Sequence, residues 1–185
     1  MFVKALARGL SLRVALVSFR GGGSAVLVTF QSETLAARLS ALGLNDLVAD
    51  LVDEGCKASV ISFNLRCAIA GVDIFSGVSG YYEERYGIEI VDDLQAFDAR
   101  FVPVLSGNAE FAAALEQGDL PGVVLKESRF LIAAVLYEMD GQRDAALRVL
   151  EKARVEYAAE PQNPDWMHMR QERLERGAQI LAAVL

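Results

Sequence analysis

Histidine and cysteine are scarce in this sequence, and their scarcity limits the chemistry that the protein can perform. The chain has one histidine, His168, and two cysteines, Cys56 and Cys67. The common zinc sites are excluded because these three residues lack the paired spacing of four ligands. A Ser-His-Asp or Cys-His mechanism would have to use His168, which lies on a predicted helix without a nearby serine or cysteine. We therefore predict no catalytic residue, no metal ligand and no cofactor.

Long apolar runs and clusters of basic residues are also missing. No run reaches the roughly 18 apolar residues that span a bilayer. The net charge is −7 and the pI is about 4.8, which argues against nucleic-acid binding because phosphate contacts need clustered lysine and arginine. Arg8 and Arg13 interrupt what would be the apolar core of a signal peptide. These features predict a soluble, cytoplasmic protein that binds neither membranes nor nucleic acid.

The first 30 residues are rich in apolar side chains and are predicted to form a helix followed by a β-hairpin. Met1 to Leu10 carries apolar residues at helical spacing. Leu12 to Phe19 and Ala25 to Phe30 are rich in valine, leucine and phenylalanine, and they flank the glycine-rich loop Arg20 to Ser24. Such a loop binds phosphate when a helix follows it. Because a strand follows here, the sequence favours the hairpin.

The next segment is predicted to contain two short helices and a long strand. Ser32 is expected to cap a helix that ends at Gly43. A second helix is predicted from Asn45 to a stop at Gly55, and its acidic residues are spread around the turns rather than converging on a metal. Lys57 to Ala70 is nearly all apolar and is predicted to be the longest strand, covered on both faces. Cys56 lies just before this run and Cys67 within it. Eleven residues apart on one extended strand, they would be beyond disulfide reach, and we predict that both are reduced.

The middle of the chain is predicted to mix strand and helix up to a turn at 119–122. Ile88 to Val91 is either a short strand or the start of a helix. Arg100 to Leu105 is predicted to be an edge strand, because Pro103 lacks the N–H that a central strand needs. Asn108 is expected to cap a helix that ends at Gly118. We predict an α+β region at residues 1–118 and a helical region at residues 119–185, packed as one compact unit.

Two helices joined at Asp140-Gly141 dominate the C-terminal region. Residues 127–157 read as an apolar helix, a glycine turn and an amphipathic helix. A last helix from Asp165 to about Val184 is expected to pack on this hairpin as a third helix, with a free stripe awaiting a partner as the alternative. The fold class is therefore α+β, with a small, mainly antiparallel sheet and packing helices, followed by a C-terminal three-helix layer.

The same hairpin resembles a single tetratricopeptide repeat over about residues 127–160. That motif's small residues correspond to Ala134, Ala146 and Ala153, and its turn glycine to Gly141. Its aromatic and bulky apolar positions correspond to Tyr137 and Leu150. Ala158 stands where the motif has a closing proline, and no second copy follows at a fixed period. The resemblance implies close packing of two helices, as an ordinary helical hairpin also would, but not a repeat array.

A tyrosine-rich loop is the candidate partner-binding site. Tyr81, Tyr82, Glu83, Glu84 and Tyr86 lie within the glycine-rich passage from Gly71 to Gly87. Loops carry function more often than regular elements do, and tyrosine combines a large contact area with a polar tip. The alternative is a turn whose tyrosines cover the edge of the core.

Two hypotheses of function follow. The first is a non-enzymatic protein-interaction protein that binds a protein partner, with a basic partner favoured by the acidic charge. Bacterial immunity proteins and small adaptors are often of this size and acidity. The alternative is a small enzyme or ligand-binding domain with a pocket between sheet and helices, near Arg20 to Ser24 or Gly77 to Tyr82. Acid–base catalysis stays open because the 25 acidic residues allow many carboxylate pairs.

Overall fold

The computed structural model shows an antiparallel sheet packed against helices, an α+β fold. It describes residues 2–6, 10–19, 23–44, 59–72, 87–121, 123–124, 128–159 and 164–185. The strands are β1 (Phe2–Ala5), β2 (Leu10–Phe19), β3 (Gly23–Ser32), β4 (Ser59–Asn64) and β5 (Val123–Val124). The helices are α1 (Glu33–Ala41), α2 (Leu65–Ala70), α3 (Gly87–Leu105), α4 (Asn108–Gln117), α5 (Arg129–Met139), α6 (Arg143–Ala159) and α7 (Pro164–Ala182). Within these ranges, none of the helices combines the length and apolar character needed to cross a bilayer.

The strands lie in the sheet in their chain order, and each is antiparallel to the next. β2 and β3 pair from Leu10↔Ser32 to Phe19↔Gly23, which confirms the predicted hairpin. A strand, β3, follows the glycine-rich loop, as the hairpin interpretation predicted. Ser32 ends β3 and caps α1 as predicted, since its hydroxyl accepts a hydrogen bond from the Leu35 amide at 3.3 Å.

The predicted helix from Met1 to Leu10 is wrong, because this segment pairs with β2 as strand β1. The amide of Leu6 donates to the carbonyl of Leu10 at 2.8 Å and closes the connection between the two strands. Lys4 forms an ion pair with Asp98 of α3, which ties the edge strand to a helix. Over four residues, the spacing of apolar side chains does not distinguish a strand from a helix. This segment is a strand because it pairs with the edge of β2.

The long strand predicted at Lys57 to Ala70 is also wrong in its second half. β4 ends at Asn64, whose side-chain oxygen accepts from the Cys67 amide at 3.2 Å and so caps α2. Cys67 is therefore on a helix and not on a strand, and it is buried. The other cysteine, Cys56, and the helix predicted from Asn45 to its stop at Gly55 lie outside the described residues.

α3 covers one segment predicted to be a strand and one predicted to be either a strand or the start of a helix. Ile88 to Val91 belongs to its first turns, which agrees with the helical alternative, whereas the edge strand predicted at Arg100 to Leu105 is wrong. Phe97, Phe101 and Leu105 recur every four residues and are all buried, so burial favours the helix. Pro103 has no N–H, so the carbonyl of Ala99, four residues earlier, loses its helical hydrogen bond. The helix tolerates this loss because Pro103 and Ala99 are both exposed to water.

Aromatic contacts join the sheet to α3 and α4. The rings of Phe30 on β3 and Phe111 on α4 meet edge-on at 5.3 Å between centroids. Phe63 on β4 meets Phe97 and Phe101 of α3 at 5.2 and 5.9 Å. All five rings are at most 2% exposed, so this sheet face and two helices share one core.

The start of α4 differs from the prediction by one residue. The N-cap is Gly107, and Asn108 is the first helical residue. The Asn108 side chain instead donates to Asp140 at the end of α5, at 2.9 Å. The predicted end at Gly118 is confirmed, since Gly118 has a φ of +76° and its amide bonds back to the last turn.

The C-terminal hairpin is confirmed. α5 and α6 are joined through Gly141 at a φ of +70°. The turn glycine of the resemblance to a tetratricopeptide repeat, Gly141, is exposed. The other residues that carry it are buried: Ala134, Tyr137, Ala146, Leu150 and Ala153. α7 packs on both helices of the hairpin through Leu174, Ala178 and Leu181, as predicted for a third helix.

Candidate functional site

An open groove runs between α3 and α4 and has a volume of about 390 Å³. α3 forms one wall, while α4 and the turn after it form the other. The lining residues are Arg100, Phe101, Val104, Glu110, Ala113, Ala114, Gln117, Asp119 and Leu120. The volume lies at the lower end of the roughly 300–1,000 Å³ that ligand sites occupy.

The floor of the groove is apolar. Phe101 and Leu120 are buried at 2% and 6% exposure, and Ala113 and Ala114 are half-buried above them. Residues 110, 113, 114 and 117 share one face of α4 because they are three or four apart. Two alanines at the centre of that face leave space that longer side chains would fill. The groove therefore forms because α4 has small side chains on the face that lines it.

A cation stands on the α3 wall. Arg100 is exposed, and its guanidinium carbon lies 4.9 Å from the centroid of the Phe101 ring. This cation–π contact fixes the charge beside the apolar floor.

Two carboxylates and an amide stand on the opposite wall. Glu110 in the first turn of α4, Gln117 in its last turn and Asp119 in the following turn are all exposed. In the part of the chain that the structure describes, Arg100, Glu110 and Asp119 form no ion pair within 4 Å. The charges of the groove therefore lie on its rim and are available to a binding partner.

The far side of α4 is held by a polar network around Glu116. Its carboxylate accepts from the Tyr137 hydroxyl at 3.1 Å and lies 3.7 Å from Arg148, while its carbonyl accepts from Lys152 at 2.7 Å. Burial raises the pKa of the Tyr137 hydroxyl, and the hydrogen bond to Glu116 and its negative charge raise that pKa further. α4 is thus bonded to both helices of the hairpin and forms a well-supported wall.

The end of α4 is held close to α5. A Cβ on Gly118 would lie 2.7 Å from a guanidinium nitrogen of Arg129. Arg129 is itself fixed by Glu156 at 2.7 Å and lies 4.4 Å from the centroid of the Phe130 ring. Glycine is therefore favoured at 118 by its positive φ, and a Cβ there would displace the end of the Arg129 side chain.

The sites expected from sequence fall mostly outside the described residues. The predicted partner-binding residues Tyr81, Tyr82, Glu83, Glu84 and Tyr86 are outside the described residues, as is most of the two segments proposed to border a pocket. The side chain of His168 is outside them as well. In the ranges that the structure covers, no three histidine, cysteine or acidic residues are grouped closely enough to hold a metal ion.

Sequence reasoning missed the groove because it assigned one wall to the wrong element. With Arg100 to Leu105 as an edge strand, Arg100 and Phe101 would not face α4. The four-residue recurrence of Phe97, Phe101 and Leu105 is the signal that would have found it.

Comparison with protein-family models, with curated proteins and with solved structures finds no match to this chain.

Proposed function

We propose that this protein binds another protein, and that a segment of the partner lies in the groove between α3 and α4. An apolar side chain of that segment packs over Phe101 and Leu120, and charged side chains beside it meet the rim. The observation that supports this most is the combination of an apolar floor with three rim charges that have no ion-pair partner among the described residues.

The form of the groove favours a protein segment over a small molecule. Sites for small molecules enclose most of their ligand and direct a few polar groups into it. Here the groove is open along two helices, and its polar groups are on the rim. Apolar grooves between helices are a common way of receiving a peptide segment. The alternative of an enzyme or ligand-binding pocket has no comparable support in the groove, and the immunity-type or adaptor role stays a prediction.

The experiment uses phage-displayed random peptides selected against the immobilised full chain. We expect enrichment of peptides with one central apolar residue, and we expect Ala114→Trp to weaken the binding of a synthesised selected peptide at least about tenfold. The tryptophan ring would occupy the space that the alanine leaves. Tenfold corresponds to about 1.4 kcal/mol, which is within the range for filling or vacating a buried anchor site.

Ala158→Trp is the matched control, because Ala158 is exposed on α6 and does not line the groove. Isothermal titration calorimetry with both variants separates a blocked groove from a general effect of an added tryptophan. Selection of no peptide, or equal binding by the wild type and Ala114→Trp, would overturn the proposal.

A further inference from the structure

The three rim charges of the groove are distributed by sign between its two walls. The cation Arg100 is on α3, whereas the carboxylates Glu110 and Asp119 belong to α4 and the turn after it. A segment lying along the groove therefore has a positive wall on one flank and a negative wall on the other.

Among the described residues, several charges on different elements pair with each other. Arg38 of α1 binds Glu138 of α5 through two nitrogens, Arg129 of α5 binds Glu156 of α6, and Arg148 approaches Glu116. Across the groove, Arg100 forms no ion pair within 4 Å with Glu110 or Asp119, although both signs of charge line it.

We infer that the groove selects both the composition and the orientation of the bound segment. This inference rests on the proposed function. It specifies a partner segment with an apolar anchor. One or more basic side chains lie on the flank facing Glu110 and Asp119, and an acidic side chain lies on the flank facing Arg100. The reverse orientation places like charges opposite each other, and such juxtaposition excludes wrong partners more strongly than matched pairs attract right ones.

The overall charge acts in the same direction. The chain carries −7, and the rim has two anions to one cation, so the segment should be basic on balance. Long-range attraction raises the rate of encounter with such a partner and weakens with added salt. Each exposed rim pair is expected to change affinity about two- to fivefold, and preference for charge is therefore a more sensitive readout than the affinity of one peptide.

The test repeats the peptide selection on variants with one wall reversed. Against the wild type, we expect the selected peptides to carry charged residues at fixed positions relative to the apolar anchor, with lysine or arginine on the flank facing Glu110 and Asp119 and aspartate or glutamate on the flank facing Arg100. Asp119→Lys should remove or reverse the basic preference and leave the acidic flank unchanged. Arg100→Glu should remove or reverse the acidic preference and leave the basic flank unchanged.

Asp144→Lys and Arg143→Glu are the matched controls, since both residues are exposed on α6 and neither lines the groove. Each makes the same change in net charge as its groove counterpart, so a change of preference in these controls would assign the effect to total charge and overturn the inference. Denaturant unfolding of all four variants checks that the fold is retained.

The outcomes separate the inference from the proposed function. Two results would overturn the inference alone, both with peptides whose binding Ala114→Trp weakens. In the first, the selected peptides carry neutral flanks. In the second, peptides selected on the reversed variants keep the flank charges of those selected on the wild type. Selected peptides that Ala114→Trp does not weaken would overturn the proposed function and the inference with it.

Discussion

Gly118 and Gly141 end consecutive helices with nearly the same backbone, at φ values of +76° and +70°, but their surroundings differ. A Cβ at Gly141 would meet nothing within 4 Å, whereas one at Gly118 would meet the Arg129 guanidinium. Alanine at either position should cost roughly 1–2 kcal/mol of unfolding free energy through the left-handed backbone. We expect Gly118→Ala to cost more than Gly141→Ala, because Arg129 would have to leave Glu156 or Phe130.

Urea unfolding of the two variants measures this difference directly. Both substitutions reduce the freedom of the unfolded chain equally, so their difference isolates the contact with Arg129. Equal losses would mean that Arg129 moves aside without cost.

The raised pKa of Tyr137 predicts how the stability of the protein depends on pH. Its pKa is raised above the ordinary value of 10.0 by burial and by Glu116. A tyrosine whose pKa is higher in the folded state contributes stability that is fully present below the unfolded pKa and is lost as pH rises through the folded pKa. We expect the stability advantage of the wild type over Tyr137→Phe to be about 0.5–1.5 kcal/mol near neutral pH and to shrink above about pH 10.

The measurement is urea unfolding of both proteins between pH 7 and pH 11. Lysines and other tyrosines also titrate in this range, but they are common to both proteins and cancel in the difference. A difference that stays constant up to pH 11 would contradict the assignment to Tyr137.

Helix boundaries marked by local chemistry were partly predictable from sequence. Ser32 caps one helix and Gly118 ends another, and both predictions are confirmed. Asn64 also caps a helix, but this was not predicted because Asn64 lies inside an apolar run that reads as one long strand. The strand predicted at Arg100 to Leu105 followed from Phe101, Val102 and Val104, which favour strands by composition. The burial of Phe97 and Phe101 against Phe63 favours the observed helix.

The packing of α7 on α5 depends on a glycine that no sequence pattern marked. A Cβ at Gly177 would lie 2.6 and 2.9 Å from the two terminal carbons of Leu131, which is 2% exposed. Alanine is the better helix former by about 1 kcal/mol, yet overpacking of a core typically costs 1–3 kcal/mol. We therefore expect Gly177→Ala to lower the free energy of unfolding, or at least not to raise it.

A double-mutant cycle with Leu131→Val tests the cause. The smaller side chain should make Gly177→Ala less harmful, giving a favourable coupling of at least about 0.5 kcal/mol. Gln179→Ala, an exposed position on the same helix, should show no coupling with Leu131→Val. Additive effects at Gly177 and Leu131 would refute close packing at this position.

The candidate site could be predicted from sequence only in its components. Arg100, Glu110 and Asp119 look like ordinary surface charges, and Ala113 and Ala114 like ordinary helix formers. Their meeting depends on the angle between α3 and α4, which is set by Phe97, Phe101 and Phe111 packing on the sheet. A glycine-rich loop with three tyrosines is conspicuous in sequence, whereas a gap between two helices is visible only once both helices have been placed.

The sheet and the C-terminal helices share contacts that should make them unfold together. β5 follows α4 in the chain but pairs with β4 at Ser62↔Val124. Arg38 of α1 binds Glu138 of α5, and Tyr137 of α5 binds Glu116 of α4. Because these contacts cross the turn at 119–122, we predict one cooperative transition for both regions.

The single tryptophan, Trp166, makes this prediction measurable because it lies on α7, far in sequence from the sheet. Its fluorescence and the far-UV circular dichroism should give the same urea midpoint. Phe30→Ala in β3 should lower both midpoints equally, with a loss of roughly 3–5 kcal/mol of unfolding free energy. Leu16→Ala is the control, because the Leu16 side chain is 61% exposed, and it should change either midpoint by little. A fluorescence midpoint that Phe30→Ala leaves unmoved would show that the helical layer is stable without the sheet, and the groove, whose walls are fixed to both, would then depend on two separate folding units.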